Sequence, residues 1–324
     1  MAWLLAAAAT CAGGVGVLLL SPRAQSLLVF VQVPNWPPFD SADPTRASPQ
    51  WARRIAALVG SVLWPGGSLR FNAFTGLAGT TSFLVHGLQG TVRGLHLPRD
   101  HPGHGTTVLY LHGNGGNVML QHRVDLYRLL AAPPLCCDVF AIDYLGVGQS
   151  DAAWPDEASA VSDVLAAIEA LPVGVGEVVV WGHSLGSGIA VGALSELLRR
   201  GGPLPRQLVL EAPFTSVPDV AASWLKWLPT PLYRWLRALL HVVLAAHRMP
   251  SLERIGPIAK RMRVDVLHGR KDGVVPYEQG QDIARASGAL LHSFERDHND
   301  IVTDPQLLPV LEAILGSREA RTSS

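Results

Sequence analysis

The segment Gly182-His183-Ser184-Leu185-Gly186 sets a serine between two glycines, each two residues away. Glycines at those positions allow a turn too tight for a side chain, and such a turn thrusts the serine Oγ out beyond the end of a strand. The context fits: the apolar run Glu177–Trp181 leads in, and apolar residues at helical spacing (Ile189, Leu194, Leu197, Leu198) lead out until Gly201-Gly202 stops them. A hydroxyl is a weak nucleophile until an imidazole takes its proton, and the imidazole needs a carboxylate to fix its tautomer. In a strand–turn–helix setting the acid and then the histidine follow the serine along the chain. Asp272 lies in the turn-rich stretch His268–Pro276 after the run Val264–Leu267, and His298 lies in the loop Glu295–Asp300 after the run Leu290–Phe294. The other nearby histidines are worse placed, since His292 is inside a run, His268 precedes the turn and His183 belongs to the serine turn. Glu211, at the end of the run Gln207–Leu210, is the reserve acid. The expected chemistry is attack by Ser184 on a carbonyl, through a covalent acyl intermediate.

That attack creates an oxyanion, and backbone N–H groups must already point at it. The turn supplies the N–H of Leu185. The segment Leu111-His112-Gly113-Asn114-Gly115-Gly116-Asn117, after the run Thr107–Leu111, supplies the N–H of Asn114, and its glycines let the backbone come close. Neither G-x-G-x-x-G nor G-x-x-x-x-G-K-[ST] occurs, which argues against a phosphate loop. The chemistry calls for no metal and no cofactor. Cys11, Cys136 and Cys137 are too few and too badly spaced for a zinc site or a disulfide framework; Cys136 and Cys137 read as core thiols opening a strand.

Positioning these groups requires a scaffold, and the chain of 324 residues has the material for one, with 48% apolar and 16% charged residues. Lys+Arg (26) and Asp+Glu (26) cancel, so there is no basic field for nucleic acid. Short β-rich runs, most of them continuously apolar, recur at Thr91–Leu97, Thr107–Leu111, Asp138–Ile142, Glu177–Trp181, Gln207–Leu210, Val264–Leu267 and Leu290–Phe294. Helical windows separate them, among them Val161, Val164, Leu165, Ile168 and Leu171 ahead of Pro172. Strands that are apolar on both faces, alternating with helices, predict an α/β fold, a mainly parallel sheet with helices on both sides. Ligands in such sheets bind beyond the carboxyl ends of the strands, where the chemical residues above all fall.

The remaining segments divide the chain. Residues 2–20 carry no charge and are about long enough to cross a bilayer core of roughly 30 Å; with residues 21–33 they read as an N-terminal single-pass membrane anchor, a cleaved signal peptide being the alternative. The second apolar run, Ser26–Val33, is too short to cross but able to lie at the interface. Residues 34–79 read as a linker followed by a basic amphipathic helix around Trp51, Ile55, Leu58 and Val62 that lies on lipid or packs on the main domain. The catalytic domain spans 80–316, with a helical cap inserted at about 213–260, and 317–324 form a flexible tail. The cap carries Trp224, Trp227 and Trp235 among many leucines, a surface suited to lining an acyl-chain pocket or to packing.

Taken together, LHGNGGN, DYLGVGQS (143–150), WGHSLGSG, LEAPFTS and HGRKDGVVP resemble the α/β-hydrolases. His122–Tyr127, Trp181 before the serine turn and Glu211–Thr215 are similar to the membrane-associated monoacylglycerol and lysophosphatidylserine lipases. The likeness covers roughly residues 105–300. It departs at Leu145, where an Arg is usual, and in the lack of any N-x-[ST] acceptor. The resemblance implies a membrane-tethered serine hydrolase of lipid esters using Ser184, Asp272 and His298, with a lipid ester and a membrane as partners, on an endomembrane such as the endoplasmic reticulum. Sidedness stays open, because Arg23 points to the cytosol and the relatives to the lumen, as does the oligomeric state. An acyl-protein thioesterase would use the same residues, and a non-catalytic scaffold with this fold is the reading from another class.

Overall fold

The strand Thr107–Leu111 is buried at every position, because TVLYL offers apolar side chains to both faces and only a strand covered on both sides can satisfy them. In the computed structural model, which describes residues 79–100 and 106–316 together with Ser21, Arg23, Gln25, Val29 and Phe30, this strand lies inside an eight-stranded sheet. In chain order the strands are β1 (Thr81–His86), β2 (Thr91–Leu97), β3 (Thr107–Leu111), β4 (Asp138–Ile142), β5 (Val178–His183), β6 (Gln207–Glu211), β7 (Arg263–Gly269) and β8 (Leu290–Phe294). They lie side by side as β1-β2-β4-β3-β5-β6-β7-β8. The six from β3 to β8 run parallel, and β2 is antiparallel to both β1 and β4. This is the α/β-hydrolase fold.

Each expected strand is present, and three, β5, β6 and β7, run further than their apolar runs. β5 continues through Gly182 and His183, paired with Leu210 and Glu211, so the sheet carries the chain up to the serine itself. β1 has no strong sequence signal, since an edge strand with only Val85 buried need not be apolar. Cys137 is buried and its thiol is pushed up to about 12 by that burial, whereas Cys136 is half-buried at φ 45° and precedes the strand. The reading of both as core thiols is therefore correct for Cys137 alone.

Helices cover the two faces. On one, α2 (Glu157–Ala170), α3 (Leu185–Arg200), α6 (Ser251–Ala259) and α7 (Tyr277–Ser287) contribute Val164, Ile168, Ile189, Leu194, Ile255 and Ile283 to the core. On the other, α1 (Gln121–Ala131) and α8 (Leu307–Leu315) contribute Val124, Leu130, Leu311 and Ile314. Helix α2 starts where it does because Asp156 accepts from the Ser159 amide while the Ser159 hydroxyl accepts from the Asp156 amide, a reciprocal cap. Helix α3 ends at Gly201, in the left-handed conformation that glycine adopts without cost.

Between β6 and β7 the chain leaves the sheet through α4 (Val217–Ser223) and α5 (Thr230–Val243) before α6 returns to it. No residue of α5 is fully buried. Ahead of the sheet, Val29 and Phe30 join the core, Phe30 meeting the ring of His247 edge-on at 5.9 Å, and Gln25 Oε1 accepts from the amide of Ala246. The run expected to lie at a lipid interface thus sets these two residues against the protein. Residues 1–20, the expected anchor, and the amphipathic helix near Trp51 lie outside the described residues; among the described residues no helix is long and apolar enough to cross a membrane.

Candidate active site

Ser184 links β5 to α3 with φ 50° and ψ −118°, a backbone region that L-residues rarely occupy and that persists only where the surroundings enforce it. Two glycines make it possible. A side chain at Gly186 would start 2.1 Å from the carbonyl oxygen of Leu111 on β3, and one at Gly182 would start 2.5 Å from the carbonyl oxygen of Gly186. The serine's own amide donates to Glu211 O (2.8 Å), and its carbonyl accepts from Ser187 N and Ser187 Oγ. The turn is therefore sewn to β6 on one side and to the first turn of α3 on the other.

Opposite the serine stands His298. Its Nε2 lies 2.9 Å from Ser184 Oγ, and its Nδ1 lies 2.7 Å from Asp272 Oδ2. The two loops that carry these residues follow the adjacent parallel strands β7 and β8, and Asp297 ties them together. Its Oδ1 accepts from the amide of Gly273 (2.9 Å) and from that of His298 (2.7 Å). The imidazole is further seated by His183, whose Nε2 is 3.2 Å from the carbonyl of His298. Residues separated by more than a hundred positions thus form one continuous hydrogen-bonded line.

The carboxylate of Asp272 is fully used. Its Oδ1 accepts from the amides of Val274 and Val275, both at 2.8 Å, and its Oδ2 faces two imidazoles, since His268 Nε2 also lies 3.3 Å away. That same Nε2 is 3.0 Å from Val275 O, and two acceptors at one ring nitrogen put the proton there. Burial works against the charge on Asp272, but the His298 and His268 imidazoles outweigh it and hold the carboxyl well below the ordinary carboxylate range. Burial likewise disfavours a charged His298, and here the Asp272 carboxylate prevails and raises the imidazole pKa above its usual 6.5. A carboxylate kept ionised beside an imidazole stabilises the imidazolium that proton uptake would create.

Glu211, the reserve acid, points elsewhere. Its Oε2 accepts from the indole N–H of Trp181 at 2.9 Å, and burial raises its pKa to about 7 against the pull of that bond. The acid that meets His298 is Asp272.

The loop after β3 comes up against the serine: a side chain at Gly113 would start 3.1 Å from Ser184 Cβ. Asn114 follows directly, its Oδ1 folded onto the amide of Gly115 (2.9 Å), and Leu185 is the first residue of α3, where main-chain N–H groups have no partner inside the helix. The buried guanidinium of Arg123, on α1, holds the loop from beneath. It donates to the carbonyl oxygens of Gly113 (3.0 Å), Gly115 (2.9 Å) and Asn117 (2.6 Å). Three carbonyls drawn onto one guanidinium fix the course of the loop next to the serine. The Tyr144 hydroxyl donates to His112 O, and Asp143 Oδ1 accepts from the amide of Val118, so the turn after β4 braces the same loop.

The roles of Arg123, Asp297 and His268 escape a reading by motif. Arg123 lies in the stretch His122–Tyr127 that carries the resemblance, but its role does not show there, because the partners that explain its burial are main-chain oxygens, which have no residue type. Among the described residues no group of histidine, cysteine and acidic side chains could hold a metal ion.

Comparison with known proteins agrees with this architecture. Residues 106–250 match the family described as alpha/beta hydrolase fold. Over 227 residues, 64% of the chain and 57% of the relative, the sequence is 33% identical to the lysophosphatidylserine lipase ABHD12 of Danio rerio. Over 241 residues, 69% of the chain and 58% of the relative, it is 31% identical to that of Bos taurus. The chain thus spans less than two thirds of the length of these curated relatives. Among solved structures, an esterase of Pyrococcus furiosus superposes with a TM-score of 0.56 at 17% identity, covering 73% of this chain and 90% of its own.

Proposed function

We propose, from the premise that this chain is an α/β-hydrolase related in sequence to the lysophosphatidylserine lipases, that it is a serine hydrolase cleaving the carboxylic ester of a monoacylglycerol or a lysophospholipid at a membrane. Ser184 Oγ attacks the ester carbonyl while His298 Nε2 takes its proton, and Asp272 holds the resulting imidazolium. The amides of Asn114 and Leu185 take up the negative charge on the carbonyl oxygen. Collapse of the tetrahedral intermediate returns the proton from His298 to the departing glycerol oxygen and leaves the acyl group on Ser184. Water, deprotonated by His298, then attacks the acyl-enzyme and releases the fatty acid. The charge-free run of residues 2–20 is the proposed anchor, in an endomembrane.

The observation that carries this reading is the unbroken line from Ser184 Oγ through His298 to Asp272, at 2.9 and 2.7 Å, on a serine held in a strained turn. The test is a panel of monoacylglycerol, lysophospholipid and S-acylated peptide substrates in detergent, on the wild-type chain and on Ser184→Ala. Ester turnover should fall on the order of 10⁴–10⁶-fold in kcat in the variant. Equal turnover by Ser184→Ala would refute the serine mechanism, and turnover confined to the thioester peptide would refute the lipid ester.

A further inference from the structure

The cap leaves many of its apolar side chains exposed. Trp224, Trp227, Trp235 and Val242 are 57%, 77%, 60% and 62% exposed, with Leu232 and Leu239 also open. On α5, Leu232, Trp235, Leu239 and Val242 recur at steps of three and four and form one stripe along the helix. A second stripe beside it, Leu240 and Val243, packs on the core. The two stripes make one broad apolar face of α5, of which Leu240 and Val243 meet the core while Leu232, Trp235, Leu239 and Val242 stay exposed among the described residues. A contiguous stripe of this kind marks a site of interaction rather than an ordinary wet surface.

Three observations choose the occupant. The cap carries an excess of cations: between residues 217 and 250 there are Lys226, Arg234, Arg237 and Arg248 against Asp219 alone. Asp219 is taken up by Arg237 and His241, which leaves Lys226 and Arg234 exposed beside the tryptophans. The composition, tryptophan and leucine on one face with lysine and arginine along its border, is that of a helix lying in an anionic lipid interface. Finally, Gln25 and Phe30 pack against Ala246 and His247 just beyond the end of α5, so the charge-free run of residues 2–20 adjoins in sequence the residues that dock here. Trp224 joins this surface to the chemistry, because its indole N–H donates to Val274 O at 3.1 Å and the Val274 amide binds Asp272.

We infer that the exposed face of α5, with Trp224 and Trp227, is a membrane-docking surface that seats the cap in an anionic phospholipid bilayer, separate from the N-terminal anchor. The docking itself requires no catalysis and stands whether or not the hydrolysis proposed above is correct.

The test uses the full chain reconstituted in vesicles of phosphatidylcholine alone, or of equimolar phosphatidylcholine and phosphatidylserine. With Cys11 and Cys136 replaced by serine, a bimane label is placed through Trp235→Cys on the cap or Glu312→Cys on α8, circular dichroism confirming that each folds. Label at 235 should be quenched by bromines on the acyl chains and spared by aqueous iodide, several-fold more strongly with phosphatidylserine. Combining it with Lys226→Glu and Arg234→Glu should remove that lipid preference, while label at 312 should be quenched by iodide alone. Iodide quenching at 235 would overturn the inference. Protection from both quenchers would overturn it too, in favour of cover by residues 31–78 or by a second copy of the chain.

Discussion

The Asp272 carboxylate lies 2.7 Å from Nδ1 of His298 while its other oxygen is occupied by the amides of Val274 and Val275. The acid cannot swing away from the imidazole without giving up two buried hydrogen bonds. It therefore fixes both the orientation and the tautomer of His298. Asp272→Asn keeps the shape but presents an N–H or a neutral oxygen to Nδ1. Ester turnover should fall on the order of 10⁴-fold in kcat, with KM much less affected. Titration of variant and wild type by NMR should show the His298 imidazole titrating at lower pH once the carboxylate charge is gone.

Arg123 gives a prediction about positioning rather than chemistry. Replacing it by Met leaves three buried carbonyl oxygens without their donor, at about 1–3 kcal/mol each where no water enters. Arg123→Met should lower Tm markedly, and in whatever folds kcat should drop by roughly 10²–10³-fold, as for loss of an oxyanion donor. Arg123→Lys should rescue little, since a point-like ammonium cannot reach three divergent oxygens as the guanidinium fork does. Full activity in Arg123→Met would show that the loop holds its shape unaided.

Gly186 tests the turn. With only 2.1 Å between a new Cβ and the Leu111 carbonyl on β3, the obstacle is backbone of a central strand, which cannot yield. Gly186→Ala should therefore destabilise the fold by more than about 3 kcal/mol or abolish soluble expression. Gly201→Ala, with open space around its Cα and only the left-handed φ of 68° to resist it, should cost about 1 kcal/mol. Denaturant titration of the two side by side compares a steric with a conformational penalty.

Glu211 makes stability depend on pH. Its carboxyl, ordinarily near 4.5, is raised to about 7 by burial, so between those values the folded chain holds a proton that the unfolded chain has released. Stability contributed by this group is therefore full below about pH 4.5, falls as pH rises to about 7 and is then level, a loss of roughly 3 kcal/mol at most. Glu211→Gln, which can still accept from Trp181, should flatten Tm across that window. Because the Glu211 charge also favours a protonated His298, the acid limb of the activity profile should move to lower pH in the variant. An unchanged profile and an unchanged slope of Tm would rule out this coupling.

Much of the framework was legible because it depends on local rules. Strands buried on both faces must be apolar throughout, so inner runs such as Thr107–Leu111 and Val178–Trp181 could be read directly, and a glycine-flanked serine after such a run has few conformations open to it. Ser184, Asp272 and His298 could be singled out because each follows a strand, and strand ends on one edge of a parallel sheet are neighbours by construction. β1 was not legible, since an edge strand with one buried residue leaves no periodic trace. Nor was the exposure of the cap's apolar side chains, because leucine and tryptophan at helical spacing suit a buried helix as well as an open one.

The order of residues along the chain determined which side chains are of a type and spacing suited to chemistry and which segments must be strands, because those properties reside in side-chain type and in spacing of a few residues. Only the tertiary structure decided that Glu211 binds Trp181 and leaves His298 to Asp272, that Asp297 fastens the two loops, and that Arg123 holds the loop after β3 by its carbonyls. These choices rest on contacts between main-chain atoms, identical at every residue, and on side chains far apart in sequence. Nothing in the spelling of the chain distinguishes such partners until the sheet sets them side by side.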